Sequence, residues 1–326
     1  MIKTNFTALK NVTSQLLLAG LATALMVLPS SAQSVIADDS FADGDRAKTG
    51  ALDTSWWTSS SLSGIEVSPG SLGLVSGTSG RGIHTVFPAQ TFVNNGDSLT
   101  ATYTFITPDT VAMPGSSASF RVGLLDSLGR TGLATEDQEA NSGNPNDLYG
   151  NVVNGVPGLP GFMMDHDVNN DPVTDDLSFR SHITGFPTGR LMATTTGWLG
   201  LGSGPDAPDA STPNYSFVPN TEYTGSFTVT KTSATEFALS GTIENYSYTL
   251  ENVTIESNVI DMLAFHANSN RFGSTNSPNE PDNGIDFTNV RVEFLSVPEP
   301  SSMMLLGVMG ITLVGLRRKA RRGNRS

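Results

Sequence analysis

Residues 98–106 read Ser-Leu-Thr-Ala-Thr-Tyr-Thr-Phe-Ile, and no other stretch constrains the fold of this chain as tightly. Leu99, Ala101, Tyr103 and Phe105 alternate with Thr100, Thr102 and Thr104. Successive side chains of a strand point to opposite faces, so one face here is apolar and the other hydroxylated. That is the pattern of a half-buried strand in an antiparallel sheet. Similar short runs of Val, Ile, Thr, Phe and Tyr recur between clusters of Gly, Asn, Asp, Ser and Pro, while helical periodicity is nearly absent. The pattern predicts strands over 65–67, 73–75, 82–86, 98–106, 118–126, 162–167, 177–183, 222–231, 236–244, 247–254, 262–267 and 285–295. Residues 231–235 read as a hairpin connection, and 129–159 and 200–219 as long loops. In the last strand Ile285 and Phe287 keep one phase and Val290, Val292 and Phe294 the other, which predicts a bulge near Thr288 and Asn289. Roughly twelve to fourteen strands in one span predict an all-β protein, an antiparallel β-sandwich of the jelly-roll kind.

The two ends read differently. Lys3 and Lys10 precede an apolar stretch from Leu16 to Leu28, and Ser30-Ser31-Ala32 follows. A basic start, apolar middle and small-residue exit describe a signal peptide over 1–32, cleaved after Ala32 and exported by the Sec machinery. At the other end Val297-Pro298-Glu299-Pro300 precedes Met303 to Leu316, an uncharged run that would span about 21 Å as a helix. That is short for a free-standing transmembrane helix, which needs about 20 residues. Arg317, Arg318, Lys319, Arg321 and Arg322 follow and would stay cytoplasmic, leaving the bulk of the chain outside. An ordinary short anchor or a buried terminal helix is the plainer reading, but this run is apolar all round and ends in a basic cluster.

The order Pro-Glu-Pro, apolar run, Arg-rich end over 297–326 resembles the PEP-CTERM sorting signal of Gram-negative bacteria. The resemblance implies an exosortase, a membrane protease that cleaves near Val297–Pro300, so the apolar run marks a transient inner-membrane intermediate. It also implies a final place at the cell surface or in an extracellular matrix, in bacteria that make exopolysaccharide, biofilm or flocs.

Between the ends, residues 33–296 read as one domain. They carry 10 Lys and Arg against 30 Asp and Glu, a net charge of about −20. Such a surface repels phosphate, which argues against nucleic acid and anionic membranes. The chain has no cysteine, so disulfides contribute nothing even in an oxidising compartment. Asp39-Ser40-Phe41 with Trp56-Trp57, the Tyr223–Ile243 strand pair and the closing Ile285–Val292 strand together resemble the concanavalin A-like lectin and glucanase sandwich. In that fold the first and last strands pair, which would tie the Phe41 region to residues 287–294.

Candidate sites follow from residue type and spacing. Asp165, Asp167, Asn169, Asp171 and Asp176 place oxygens at positions 1, 3, 5, 7 and 12 of a calcium loop, or of a plain acidic hairpin. Calcium is the one cofactor the residues suggest. Asp38, Asp39, Asp43 and Asp45, with Asp286 nearby, form a second acidic cluster. Trp56, Trp57 and Trp198 could stack on sugar rings, although adjacent Trp residues in a strand point to opposite faces, so at most one of that pair is expected in the core. His166 and His182 could meet across the acidic hairpin. Laminarinase-type hydrolases of the resembled fold carry Glu-x-Asp-x-x-Glu, which is absent; Glu136-Asp137-Gln138-Glu139 has the wrong spacing. No Gly-x-Ser-x-Gly precedes a helix. The expectation is an exported, non-catalytic structural or glycan-binding protein; the alternative is a divergent glycan hydrolase or lyase of the same fold.

Overall fold

The computed structural model describes residues 31–59, 65–75, 81–109, 111, 119–137, 149, 156–167, 177–182, 185, 189–192, 197–203, 217–267, 272 and 284–298. Residues 33–296 form one compact unit. The signal-peptide residues before Ser31, the apolar run 303–316 and the basic cluster from Arg317 to Arg322 lie outside the described residues, as do Glu299 and Pro300. Among the described residues no helix is long and apolar enough to cross a membrane.

The strands are β1 (Ala32–Asp39), β2 (Trp56–Thr58), β3 (Ile65–Ser68), β4 (Ser71–Val75), β5 (Arg81–Thr91), β6 (Ser98–Ile106), β7 (Ser119–Leu125), β8 (Gly161–Asp167), β9 (Leu177–His182), β10 (Trp198–Ser203), β11 (Glu222–Lys231), β12 (Glu236–Ile243), β13 (Tyr246–Thr254), β14 (Val259–Ala267) and β15 (Gly284–Ser296). They form two antiparallel sheets. One has eight strands in the order β13-β12-β11-β6-β15-β4-β3, with β1 also on β15; the other has seven, in the order β10-β9-β8-β7-β14-β5-β2. The protein is therefore all-β, a jelly-roll sandwich.

The first and last strands do pair. Ser34 Oγ donates to the Phe294 carbonyl, 3.3 Å away, and Asn289 Nδ2 to the Asp39 carbonyl at 3.4 Å. The register between β15 and β6 slips between Phe287 and Asn289, where the change of apolar phase placed a bulge. The slip falls where β15 leaves its ladder with β4, which ends at Phe287, and runs on beside β1. Two expectations fail. Residues 200–203 belong to strand β10 (Trp198–Ser203) and do not open a loop, because Gly200, Gly202 and Ser203 pair with Arg180, Phe179 and Ser178 of β9. Strand β1 also escaped the pattern, since its outer residues 32–34 are exposed and polar or small.

The main core lies between the sheets. Phe120 of β7 and Phe265 of β14 stack with ring centroids 6.0 Å apart, and Phe265 meets Phe287 of β15 at 4.3 Å. Tyr103 and Phe105 of β6 close the cluster from the eight-stranded side. Tyr103 fits because its neighbour Gly225 has no side chain: a Cβ there would lie 2.6 Å from the phenol ring. Aromatic contacts of this kind add about 0.5–1.5 kcal/mol each beyond burial.

Candidate functional site

The seven-stranded sheet is buried on both faces. Every residue of β7 is buried, as are eight of the nine in β14. Its inner face joins the core; its outer face carries a second apolar cluster of Leu125, Met163, Trp198, Met262 and Ala264, covered by Leu133, Tyr149, Leu159, Leu191 and Met192. Register aligns the outer face in rows. One row runs Gly82, His266, Arg121, Asp165, Ser178 across β5, β14, β7, β8 and β9. The next runs Trp57, His84, Ala264, Gly123, Met163, Arg180. The absent side chain at Gly123 makes room for Met192, whose Sδ would lie 2.6 Å from a Cβ there.

The polar members of these rows are tied together. Arg121 Nε donates to Asp165 Oδ2 at 3.1 Å, and its Nη1 to the Met192 carbonyl at 2.6 Å. Arg180 Nε lies 3.7 Å from the same Asp165 oxygen, an ion pair without a hydrogen bond. Asp165 Oδ1 is buried with no hydrogen-bond partner among the described residues, and so are both ring nitrogens of His266. Burial, with the Arg121 charge beside it, holds His266 well below the usual histidine range. His84 Nε2 lies 2.9 Å from the Leu133 carbonyl and its Nδ1 3.3 Å from the Tyr149 hydroxyl. A carbonyl only accepts, so Nε2 carries the proton and the tyrosine donates to Nδ1. Burial pushes His84 down to about 4, although the Leu133 carbonyl pulls the other way.

Several candidate residues part company here. Asp165 is a poor calcium ligand, because two guanidinium groups already neutralise its carboxylate. Asp167 continues β8, while Asn169, Asp171 and Asp176 lie outside the described residues. His166 and His182 occupy opposite faces of the sheet: His166 meets Tyr103 in the core at 3.1 Å, and His182 packs edge-on against Trp198. Burial pushes His166 down to about 3. Trp56 is fully buried and its Nε1 donates to Asp39 Oδ2 at 2.9 Å, so it has no face for a sugar. Trp198 is buried in the second cluster and is equally closed. Trp57 alone of the three keeps part of its ring at the surface.

The second acidic cluster is likewise spent in separate contacts. Asp38 pairs with Arg291 at 2.7 Å, and Asp39 accepts from Phe41 N and Trp56 Nε1. Asp43 and Asp45 accept backbone N–H groups of their own loop, two residues on. Asp137 of the 136–139 acidic run takes a bidentate contact from Arg46, at 2.8 and 2.9 Å. The Arg121–Asp165–Arg180 group and the His84–Tyr149 contact have no local sequence signal. Each joins residues between 15 and 65 positions apart.

Around Trp57 the geometry is different. The Arg46 guanidinium lies 5.4 Å from the Trp57 ring centre, and Trp57 Nε1 is buried with no hydrogen-bond partner among the described residues. Beside it opens a cavity of about 190 Å³ lined by Lys48, Asp53, Ser55, Trp57 and, as apolar wall, Ile36, Ala37, Val86, Phe87 and Pro88.

These features place the chain among all-β sandwich proteins with a sorting tail. Residues 296–322 match the family model of the PEP-CTERM protein-sorting motif. The motif implies an exported chain that transits a membrane and is processed by an exosortase. A comparison with curated proteins gave no match. Among solved structures the chain is similar to basic winged bean lectin with Tn-antigen, at 8% identity and TM-score 0.42, covering 82% of this chain and 100% of that one. It is also similar to an endo-1,3-β-glucanase from Streptomyces sioyaensis (13% identity, TM-score 0.39, 83% and 99% covered) and to an alginate lyase in complex with an alginate trisaccharide (12%, 0.38, 81% and 99%). These likenesses concern shape and pass on no activity.

Proposed function

We propose that this chain is a non-catalytic β-sandwich of the cell surface or extracellular matrix of a Gram-negative bacterium, released from the inner membrane by an exosortase and holding exopolysaccharide by binding glycan or by packing within it. The sorting motif on a sandwich is the observation that carries this reading. The electrostatics of the covered face support the absence of catalysis. Glycoside hydrolysis needs two carboxyl groups, about 5–5.5 Å apart in retaining enzymes. On that face Asp165 is already paired with two arginines, and Asp167 follows two residues along β8.

A hydrolase or lyase of the same fold is the competing reading. Its support is His266, buried beside Arg121 with two unpartnered nitrogens and so a neutral base. One experiment separates the two. The full-length chain is probed against a glycan array and the host's own exopolysaccharide, with calcium and with chelator, and the same polysaccharides are then assayed for new reducing or unsaturated ends. Binding without new ends supports the non-catalytic reading; new ends overturn it. Binding that chelator abolishes would restore a calcium loop formed without Asp165.

A further inference from the structure

The cavity beside Trp57 has a chemical bias that its residues make explicit. Its one carboxylate, Asp53, is already saturated. Asp53 Oδ2 accepts from Thr49 N at 3.0 Å and from Gly50 N at 3.3 Å and shares the Thr49 hydroxyl, 2.8 Å away, with Asp43 Oδ2 at 2.6 Å; Oδ1 accepts from Thr54 N at 3.0 Å. The Thr54 hydroxyl is spent on Thr85 and on the Ser55 carbonyl. What remains is a set of donors. Lys48, an exposed residue, lines the cavity and makes no ion pair among the described residues. Trp57 Nε1–H is buried and unsatisfied. Ser55 Oγ accepts from Lys48 N at 3.0 Å and keeps its own proton to give. Of these only the Trp57 donor is buried, and one left unmade costs about 1–3 kcal/mol and calls for an acceptor; Lys48 is exposed and Ser55 half-buried. The same cavity is also lined by the apolar side chains of Ile36, Val86 and Pro88.

We propose that this cavity is a subsite for a small ring bearing one carboxylate, of the size and chemistry of a single uronic acid residue. The ammonium and the two N–H and O–H donors take the carboxylate, while the apolar wall takes the C–H face of the ring. The acidic surface of the chain repels long polyanions, and the cavity holds about six waters' worth of volume. The ligand is therefore a terminal residue and not the interior of a strand. The assignment of the source to a glycan rests on the glycan-binding reading above; the preference for a carboxylate does not.

The test titrates the full-length chain with glucuronate, glucose and benzoate, following heat and tryptophan fluorescence, and repeats it on Lys48→Ala and Trp57→Phe. The proposal expects glucuronate to bind, glucose to bind at least about tenfold more weakly, and Lys48→Ala to remove that preference. Trp57→Phe should abolish the fluorescence change, because Trp56 and Trp198 are buried elsewhere. Benzoate binding as well as glucuronate would keep the carboxylate subsite and overturn the glycan as its source. Equal binding of glucuronate and glucose, binding that survives Lys48→Ala, or no carboxylate binding would overturn the subsite. Array binding of neutral glycans unaffected by Lys48→Ala would leave the broader function standing without it.

Discussion

The two sheets share one core and diverge on their other faces. In the eight-stranded sheet β6, β11 and β12 alternate buried residues with half-buried or exposed ones along their whole length. Their open face is a lattice of hydroxyls. Thr100 meets Thr228 at 2.9 Å, Thr104 meets Thr224 at 3.2 Å and Ser226 meets Thr242 at 2.7 Å. The corresponding face of the seven-stranded sheet is covered, and holds an arginine–aspartate pair and three buried histidines, His84, His182 and His266, among apolar side chains. The difference teaches where this protein can tolerate change. A polar group on the open face always has water as an alternative partner, whereas one under the cover has only the partner the fold provides.

The largest effect should come from breaking the covered pair. Arg121→Met leaves the Asp165 carboxylate buried beside the more exposed Arg180 alone and removes the donor to the Met192 carbonyl. A loss of about 3–5 kcal/mol is expected in urea unfolding. Adding Asp165→Leu to Arg121→Met should recover part of that loss, because a neutral apolar pair has no charge to strand. A double variant as unstable as the single one would mean that the pair is not what holds this face.

Acid titration should pull the sheets in opposite directions. His84, His166 and His266 all lie on the seven-stranded sheet, with folded pKa values below the usual 6.5 because they are buried. As pH falls below about 6.5 the unfolded chain takes up protons that these groups cannot. Stability is then lost at up to about 1.4 kcal/mol per pH unit for each, down to about 4 for His84 and about 3 for His166. Asp39 and Asp286 belong to the eight-stranded sheet, and burial raises both to about 6. They bind protons in the folded state first, so stability is gained as pH falls through 6 and is complete near 3.8. Asp261 on β14, also raised by burial, adds in the same sense. Asp286→Asn should therefore steepen the acid loss between pH 6 and 4, and His84→Phe should flatten it, both read as urea midpoints against pH. Parallel shifts in the two variants would contradict this opposition.

The same contrast explains what could be read from the sequence. The ends of β6 and β11 fall where alternation placed them, since a sheet open on one side writes its period into the residues. The covered sheet does so only in part. Phe162-Met163-Met164 shows little alternation because both faces are filled, whereas Phe120-Arg121-Val122-Gly123 alternates although every residue is buried; both strands still fall within a residue of the expected ranges. Residues 200–203 of strand β10 read as loop because Gly200 and Gly202 leave only Leu201 to signal a strand there, and a register slip falls between those glycines. The site was less legible still. Nothing local distinguishes Trp56 from Trp57; the pairing of Trp56 with Thr85 and of Trp57 with His84 decides which one enters the core. Asp165 looked like the first ligand of a loop because its neutralising arginines come from β7 and β9.

The smallest effect should come from the open face. Replacing Thr100 and Thr228 together by Val deletes a 2.9 Å hydroxyl contact and keeps β-branched side chains suited to a strand. The folded and unfolded states both lose water partners for the same two hydroxyls, so the change should stay within about 0.5 kcal/mol, measured by urea unfolding. A larger loss would mean that this face is covered in the folded protein, as by a second chain. The same variant also separates the two glycan surfaces. If array binding falls with Thr100→Val/Thr228→Val and not with Lys48→Ala, ligand lies along the hydroxyl lattice. If it falls only with Lys48→Ala, the open sheet is a solvated wall and recognition resides in the cavity beside Trp57.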